Sequence, residues 1–200
     1  SWDIALAEAK TPGYARTWML ISFAHDDQSG KPGRSTDLAT QLPQNLKRYV
    51  AEARAAGARP LLLTPLTRRQ FRDGQLEDDL APWVEAIRKV ARELEVPLVD
   101  LHARSLAAVR AIGPIQSMRF AETPAAAWMV AAAQSGTTIS HDTPLWPEPP
   151  VSEGAPPGLA HRHRKFDYTH LGPEGAGFFA AMVADELSLR VPELRERLYP

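Results

Sequence analysis

The chain contains no cysteine. That removes disulfides, thiolate zinc sites and thiol catalysis together, while leaving the compartment open, so that a secreted or periplasmic location stays compatible with it. No apolar run approaches the roughly 18 residues needed to cross a bilayer, no charged-then-apolar leader opens the sequence, and no membrane association is expected. Ser1 stands where a methionine would begin a complete gene product, and the expectation is that a leader or a longer N-terminal segment precedes it. Charge of one sign is also lacking: the formal net charge is -1, without a like-charge tract, which argues against nucleic acid as a partner. Internal repeats, a phosphate-cradling glycine loop and a Gly-x-Ser-x-Gly elbow are absent too.

What is present is ordinary globular material, 44% hydrophobic and 24% charged over 200 residues, enough for a core without staples and read as a single domain over 1–200. The first half alternates strand-like and helix-like blocks, the pattern of an α/β domain with a parallel sheet. Trp18 to Phe23, Arg59 to Leu66 and Val96 to Leu101 read as strands, the last two continuously apolar as strands covered on both faces tend to be. Leu42, Leu46, Tyr49, Val50 and Ala53 recur at helical spacing, with Pro43 near the start and Gly57 just past the end. Leu80, Trp83, Ile87, Val90 and Leu94 repeat the device, and Glu85 and Lys89 are spaced for an i, i+4 pair. A short helix is expected over Ser105 to Ile112 and another near Ala125 to Ala133. Gln134 to Lys165, rich in Gly, Pro, Ser and Thr, reads as a long irregular insertion. A final helix starts at Pro173 and carries Phe178, Phe179, Met182, Val183, Glu186 and Leu187 along one side.

Two constellations can carry chemistry. Ligands of open α/β sheets bind beyond the carboxyl ends of the strands, and Ala24-His25-Asp26-Asp27 follows the first strand at such an end. The second is Asp167-Tyr168-Thr169-His170, directly before a helix. Its spacing lets Asp167 hold the Nδ1 proton of His170 while Nε2 faces a substrate, as a general base requires. Each has a bland counterpart, since carboxylates before a helix are commonly caps and adjacent Asp residues after a strand are a turn signal.

The stretches FAHDDQ, NLKRYVAEARAAGARPLLLTPLTRR, VPLVDLH and FDYTHLGPEGA resemble the SGNH or GDSL hydrolases, in particular the rhamnogalacturonan acetylesterase-like branch, over nearly all the chain outside the insertion. The resemblance implies a three-layer α/β/α, flavodoxin-like fold and a carboxylic ester hydrolase that deacetylates carbohydrate or small acyl esters. It implies that His170 activates a serine, that Asp167 orients it, and that no cofactor or metal is needed. The family's Gly-x-Asn-Asp block falls on Ala24 to Asp27, so the Asn that donates to the oxyanion is replaced by Asp26 and the glycine by Ala24. An ionised carboxylate only accepts hydrogen bonds and would repel an oxyanion. The family's Gly-Asp-Ser nucleophile block and its second block are not found in these 200 residues. The expectation is that the first strands are missing, leaving one edge of the Trp18 to Phe23 strand open to an N-terminal segment or a second copy in a homo-oligomer.

The nucleophile is left unknown, to come from a missing N-terminal segment, another subunit or an unusual loop position; among serines in hand, Ser35 in Gly33-Arg34-Ser35-Thr36 is one candidate, with Ser29 in the same loop as a lesser one and Ser22 read as packing. Asp27, Arg68 and Arg69 are placed on the substrate side. His25 is expected to shape its turn, and the basic run His161 to Lys165 reads as a solvated loop face rather than a metal site. Trp128 and Trp146 are candidates for stacking on a sugar, against plain packing. Two alternatives stand beside the esterase: a catalytically impaired remnant serving carbohydrate binding or assembly, and Mg²⁺-dependent phosphoryl chemistry at Asp26 and Asp27. The esterase reading requires His170 and the Asp26 strand tip to share one cleft.

Overall fold

A computed structural model of the chain describes residues 2–28, 35–138 and 166–198. In chain order the helices and strands are α1 (Trp2–Glu8), β1 (Trp18–Ser22), α2 (Gln41–Ala55), β2 (Arg59–Leu63), β3 (Phe71–Arg72), β4 (Gln75–Leu76), α3 (Ala81–Glu93), β5 (Leu98–Val99), α4 (Leu101–Gln116), α5 (Ala127–Ala132), α6 (Pro173–Arg190) and α7 (Arg195–Leu198). The fold is α/β, with a parallel three-stranded sheet in the order β1-β2-β5. The chain groups into two compact units: Ser1–Leu66 with Asp78–Ser105 and Ala181–Pro200, and Thr67–Glu77 with Leu106–Ala180.

The first unit holds the sheet. Trp18 to Ser22 run in register with Arg59 to Leu63, and Leu62 and Leu63 pair with Leu98 and Val99. Each parallel step needs a crossover, and α2 and α3 supply them. Leu42, Leu46, Val50 and Ala53 from α2 and Ile87, Val90 and Ala91 from α3 bury together against Met19, Ile21 and Leu62. The helical periodicity seen in the sequence is therefore the buried stripe. α2 stops where expected: Gly57 takes φ 84° and the Ala58 N–H reaches back to the Ala53 carbonyl at 3.0 Å, the glycine-dependent C-cap of a helix. Glu85 pairs with Arg88 instead of Lys89, because Arg88 also reaches Asp100 at 2.7 Å, while Lys89 lies 3.9 Å from Glu93. The strands are shorter than their apolar runs. Beyond Leu63 the residues Thr64 and Pro65 stay buried, the Thr64 N–H still donating to the Val99 carbonyl at 3.1 Å, and the chain then leaves the sheet. α1, which has no counterpart among the expected elements, is tied down by the Trp2 indole donating to Glu52 at 2.5 Å and by its ring lying 4.5 Å from that of Tyr49, which in turn stacks on Phe23 at 5.1 Å.

The second unit is built on Met118, Ala121, Met129, Ala133, Phe166 and Tyr168. It carries an antiparallel hairpin of β3 and β4 joined by Asp73-Gly74, both at positive φ, 50° and 77°. An Asp-Gly pair with this geometry is the standard two-residue hairpin turn. The start of the expected insertion joins this hairpin: the Gly74 N–H donates to the Gly136 carbonyl at 3.0 Å and Thr138 N–H to the Phe71 carbonyl at 3.0 Å. The rest of that insertion, with His141, Trp146 and the His161 to Lys165 run, lies outside the described residues, as does Ser29. α4 is interrupted at Gly113, φ 82°, just before Pro114, so its regular part ends where the sequence places the end of its helix. On α6, Phe179, Met182, Glu186 and Leu187 are buried as expected, whereas Phe178 is exposed and stacks on Phe120 at 4.9 Å. No helix of the described residues is long and apolar enough to cross a membrane.

Candidate active site

In the second unit, Asp167 and His170 form a hydrogen-bonded pair. One carboxylate oxygen, Oδ1, accepts the main-chain N–H groups of Thr169 at 2.7 Å and His170 at 2.6 Å. The other, Oδ2, lies 2.6 Å from the His170 Nδ1. One carboxylate thus both closes the turn ahead of α6 and holds the imidazole. Burial on its own pushes the Asp167 carboxyl up. The His170 main-chain N–H, the His170 ring, the Thr169 N–H and the charge of His170 more than offset it, holding the carboxyl below the ordinary aspartate value. Asp167 therefore stays ionised and acts as an acceptor toward Nδ1. The His170 side chain is 51% exposed, and no described residue engages its Nε2.

The segment that carries this pair is clamped on several sides. Phe166 and Tyr168 insert into the core of the unit, ring edge to face at 4.9 Å. Leu171 bridges Ala121, the Glu122 N–H donates to the His170 carbonyl at 3.2 Å, and the Gly172 N–H donates to the Phe120 carbonyl at 2.9 Å. At Gly172 an added Cβ would sit 2.6 Å from the Ala121 carbonyl oxygen, so the approach of these two backbones needs glycine.

Arg69, expected on the substrate side, is instead 1% exposed, and its guanidinium is directed at the carbonyls of the Asp167 to His170 turn. Arg68 also turns inward, its Nε donating to the Thr169 hydroxyl at 3.2 Å. For Arg69 the physical reason is that a guanidinium's planar fork matches a ring of carbonyls better than water at a strand end. Burial pushes the Arg69 guanidinium down to about 10, a shift opposed by the charge of Asp167.

The strand-end block belongs to the first unit. Ala24 is buried at the end of β1 with φ 127°, a conformation that costs a residue carrying Cβ. This is the physical reason a glycine suits that position of the block. The His25 Nε2 donates to the Leu66 carbonyl at 2.9 Å, so His25 shapes its turn as expected. Asp26 is exposed. Asp27 is half-buried and closes the loop: its N–H reaches the Ala24 carbonyl at 3.1 Å, its carbonyl accepts the Thr36 N–H at 2.9 Å, and its Oδ1 accepts the Thr36 hydroxyl at 3.0 Å. The Asp27 carboxylate, expected on the substrate side, takes part in holding the turn. Ser35 is exposed and its hydroxyl donates to the Gln28 carbonyl at 2.9 Å. Ser22 is exposed rather than packed. Among the described residues, no three His, Asp or Glu side chains converge as metal ligands.

The first unit holds a second His–Asp pair that the sequence reading does not single out. The His102 ring is buried, with Nε2 2.8 Å from Asp78 Oδ1. Its main-chain N–H donates to the Thr64 hydroxyl at 2.9 Å, which donates to Asp100 Oδ1 at 3.0 Å, and Arg88 holds the other oxygen of Asp100. The signal was the Asp-Leu-His sequence at a strand end, but the partner Asp78 lies 24 residues away.

No family model matches the chain. It is 40% identical over 91 residues to the probable rhamnogalacturonan acetylesterase YesY of Bacillus subtilis (strain 168), a match covering 45% of this chain and 42% of that protein. It is 30% identical over 182 residues to the rhamnogalacturonan acetylesterase RhgT of the same organism, covering 90% of this chain and 63% of that protein. The chain thus spans less than two thirds of the length of either relative. Taken with the parallel α/β sheet and the Asp-x-x-His block ahead of α6, these relationships support the rhamnogalacturonan acetylesterase-like branch of the SGNH hydrolases as the family this chain resembles.

Proposed function

We propose that this chain is the dyad-bearing part of a carboxylic ester hydrolase that removes acetyl groups from carbohydrate, with His170 as general base and acid and Asp167 as its orienting carboxylate. The observation that carries this reading is the 2.6 Å contact of Asp167 Oδ2 with His170 Nδ1 beneath a half-exposed ring. With the proton held on Nδ1, Nε2 carries the lone pair. It takes the proton of a serine hydroxyl as that oxygen attacks the ester carbonyl, and returns it to the leaving alkoxide as the sugar departs. Water then repeats the sequence on the acyl-enzyme. The ionised Asp167 stabilises the imidazolium formed in each half. The names of YesY and RhgT support acetylated rhamnogalacturonan as the substrate class.

An acetylated chromogenic ester and acetylated rhamnogalacturonan test the reading with the parent protein and the His170→Ala variant. Hydrolysis by the parent and its loss in the variant are expected, and labelling with a fluorophosphonate followed by peptide mapping identifies the serine. Full activity in His170→Ala overturns the assignment. A second reading, a catalytically impaired carbohydrate-binding domain, is favoured by Asp26, an exposed carboxylate where the family places a donor to the oxyanion. It predicts binding of the polysaccharide without ester cleavage and without covalent labelling.

A further inference from the structure

Every carbonyl of the Asp167 to His170 turn accepts a hydrogen bond from Arg69. Its Nη2 donates to Asp167 at 3.3 Å and to His170 at 3.0 Å, its Nη1 to Thr169 at 3.3 Å, and its main-chain N–H to Tyr168 at 3.0 Å. The opposite side of the same turn, the N–H groups of Thr169 and His170, is closed by the Asp167 carboxylate. The four-residue turn is held between a cation on its carbonyl end and an anion on its amide end. A buried guanidinium is costly unless its donors are used, and here the Nη donors converge on the turn that presents the imidazole, while the buried Nε finds no hydrogen-bond partner among the described residues.

We propose that Arg69 is a positioning residue for the His170–Asp167 dyad, fixing the main-chain geometry that brings Nδ1 onto Oδ2. Arg69 touches no reacting atom and acts through the turn. The fork is the essential feature. A lysine retains the charge but offers a single ammonium on a different geometry, and cannot span three carbonyl oxygens in the same way. The inference rests on the esterase reading only for its consequence in turnover; the geometric claim stands apart from it.

Two measurements on the full chain separate these. In the unmodified protein, ¹⁵N NMR of the Arg69 side chain is expected to show restricted rotation, with Nη protons protected from solvent exchange. A single averaged, rapidly exchanging guanidinium signal overturns the proposal whatever becomes of any variant. In Arg69→Lys with intact circular dichroism, the downfield Nδ1-proton resonance of His170 is expected to broaden or vanish, and kcat on the chromogenic ester to fall about 10- to 100-fold with KM within about twofold, the pattern of a misplaced catalytic group. Retention of both the resonance and the rate overturns it. If the parent lacks esterase activity, loss of the resonance in Arg69→Lys still supports positioning, and the failure belongs to the functional reading alone.

Discussion

Asp167 grips His170 twice, by the main-chain N–H at 2.6 Å through one carboxylate oxygen and by the ring Nδ1 at 2.6 Å through the other. The residue that starts the turn is also the one that fixes the imidazole, so the local backbone and the tautomer are set by one carboxylate.

Replacing that carboxylate by an amide separates the two roles. In Asp167→Asn the retained Oδ1 still accepts from the backbone, but an NH2 group now faces Nδ1 and forces the opposite tautomer. Turnover is expected to fall about 10²- to 10⁴-fold, the range that general acid–base assistance supplies. Steady-state kinetics with circular dichroism checks it, and near-parent turnover in a folded variant removes Asp167 from the mechanism.

The same variant reports on acid stability. The Asp167 carboxyl is held below its ordinary value in the fold, so its contribution to stability is complete above the unfolded value of about 3.9 and is lost as the pH falls from there through the folded value. Thermal melts are expected to show the parent losing more stability than Asp167→Asn as the pH drops below about 4. Parallel melting profiles for the two proteins over that window contradict the coupling.

Ala24 is strained at φ 127°. Ala24→Gly relieves a strain of about 1–3 kcal/mol, against about 0.5–1 kcal/mol of added chain freedom and about 0.8 kcal/mol for a buried methyl. The balance spans about 0.8 kcal/mol less to about 1.7 kcal/mol more stable than the parent, while a β-branched valine there costs at least about 2 kcal/mol. Denaturant unfolding of the two variants decides it, and a glycine variant less stable than the valine one refutes the assignment of strain.

Gly172→Ala places a methyl 2.6 Å from the Ala121 carbonyl oxygen. The backbone on one side must move, at about 1–3 kcal/mol, and His170 is two residues away. Lower stability together with a reduced kcat is expected. A variant with parent stability and parent kcat shows that the close approach is not required.

Thr64 is fully buried and links the His102 N–H to Asp100. Thr64→Val keeps the shape but leaves the N–H and one carboxylate oxygen short of a partner, costing about 1–3 kcal/mol. Chemical denaturation measures the loss; an unchanged midpoint shows that the hydroxyl bridge is dispensable.

Much of the fold could be read along the chain because it rests on local rules. The α2 and α3 stripes, the Gly57 stop and the start of α6 at Pro173 follow from periodicity and from which residues tolerate a helix end. The Asp73-Gly74 hairpin obeys an equally local rule and was passed over because its strands are only two residues each. The Asp-x-x-His spacing likewise carried its own geometry, since three residues of turn suffice to bring a carboxylate onto Nδ1.

The sequence by itself determined the α/β alternation, the helix stripes and the dyad, all of which depend on neighbours within a turn or two. Tertiary structure alone decided the use of Arg69, Asp27 and His102. A charged side chain at a strand end can face water or carbonyls with equal local ease, and only the arrival of a segment about a hundred residues away, with its oriented carbonyls, makes burial of the Arg69 guanidinium the stable choice.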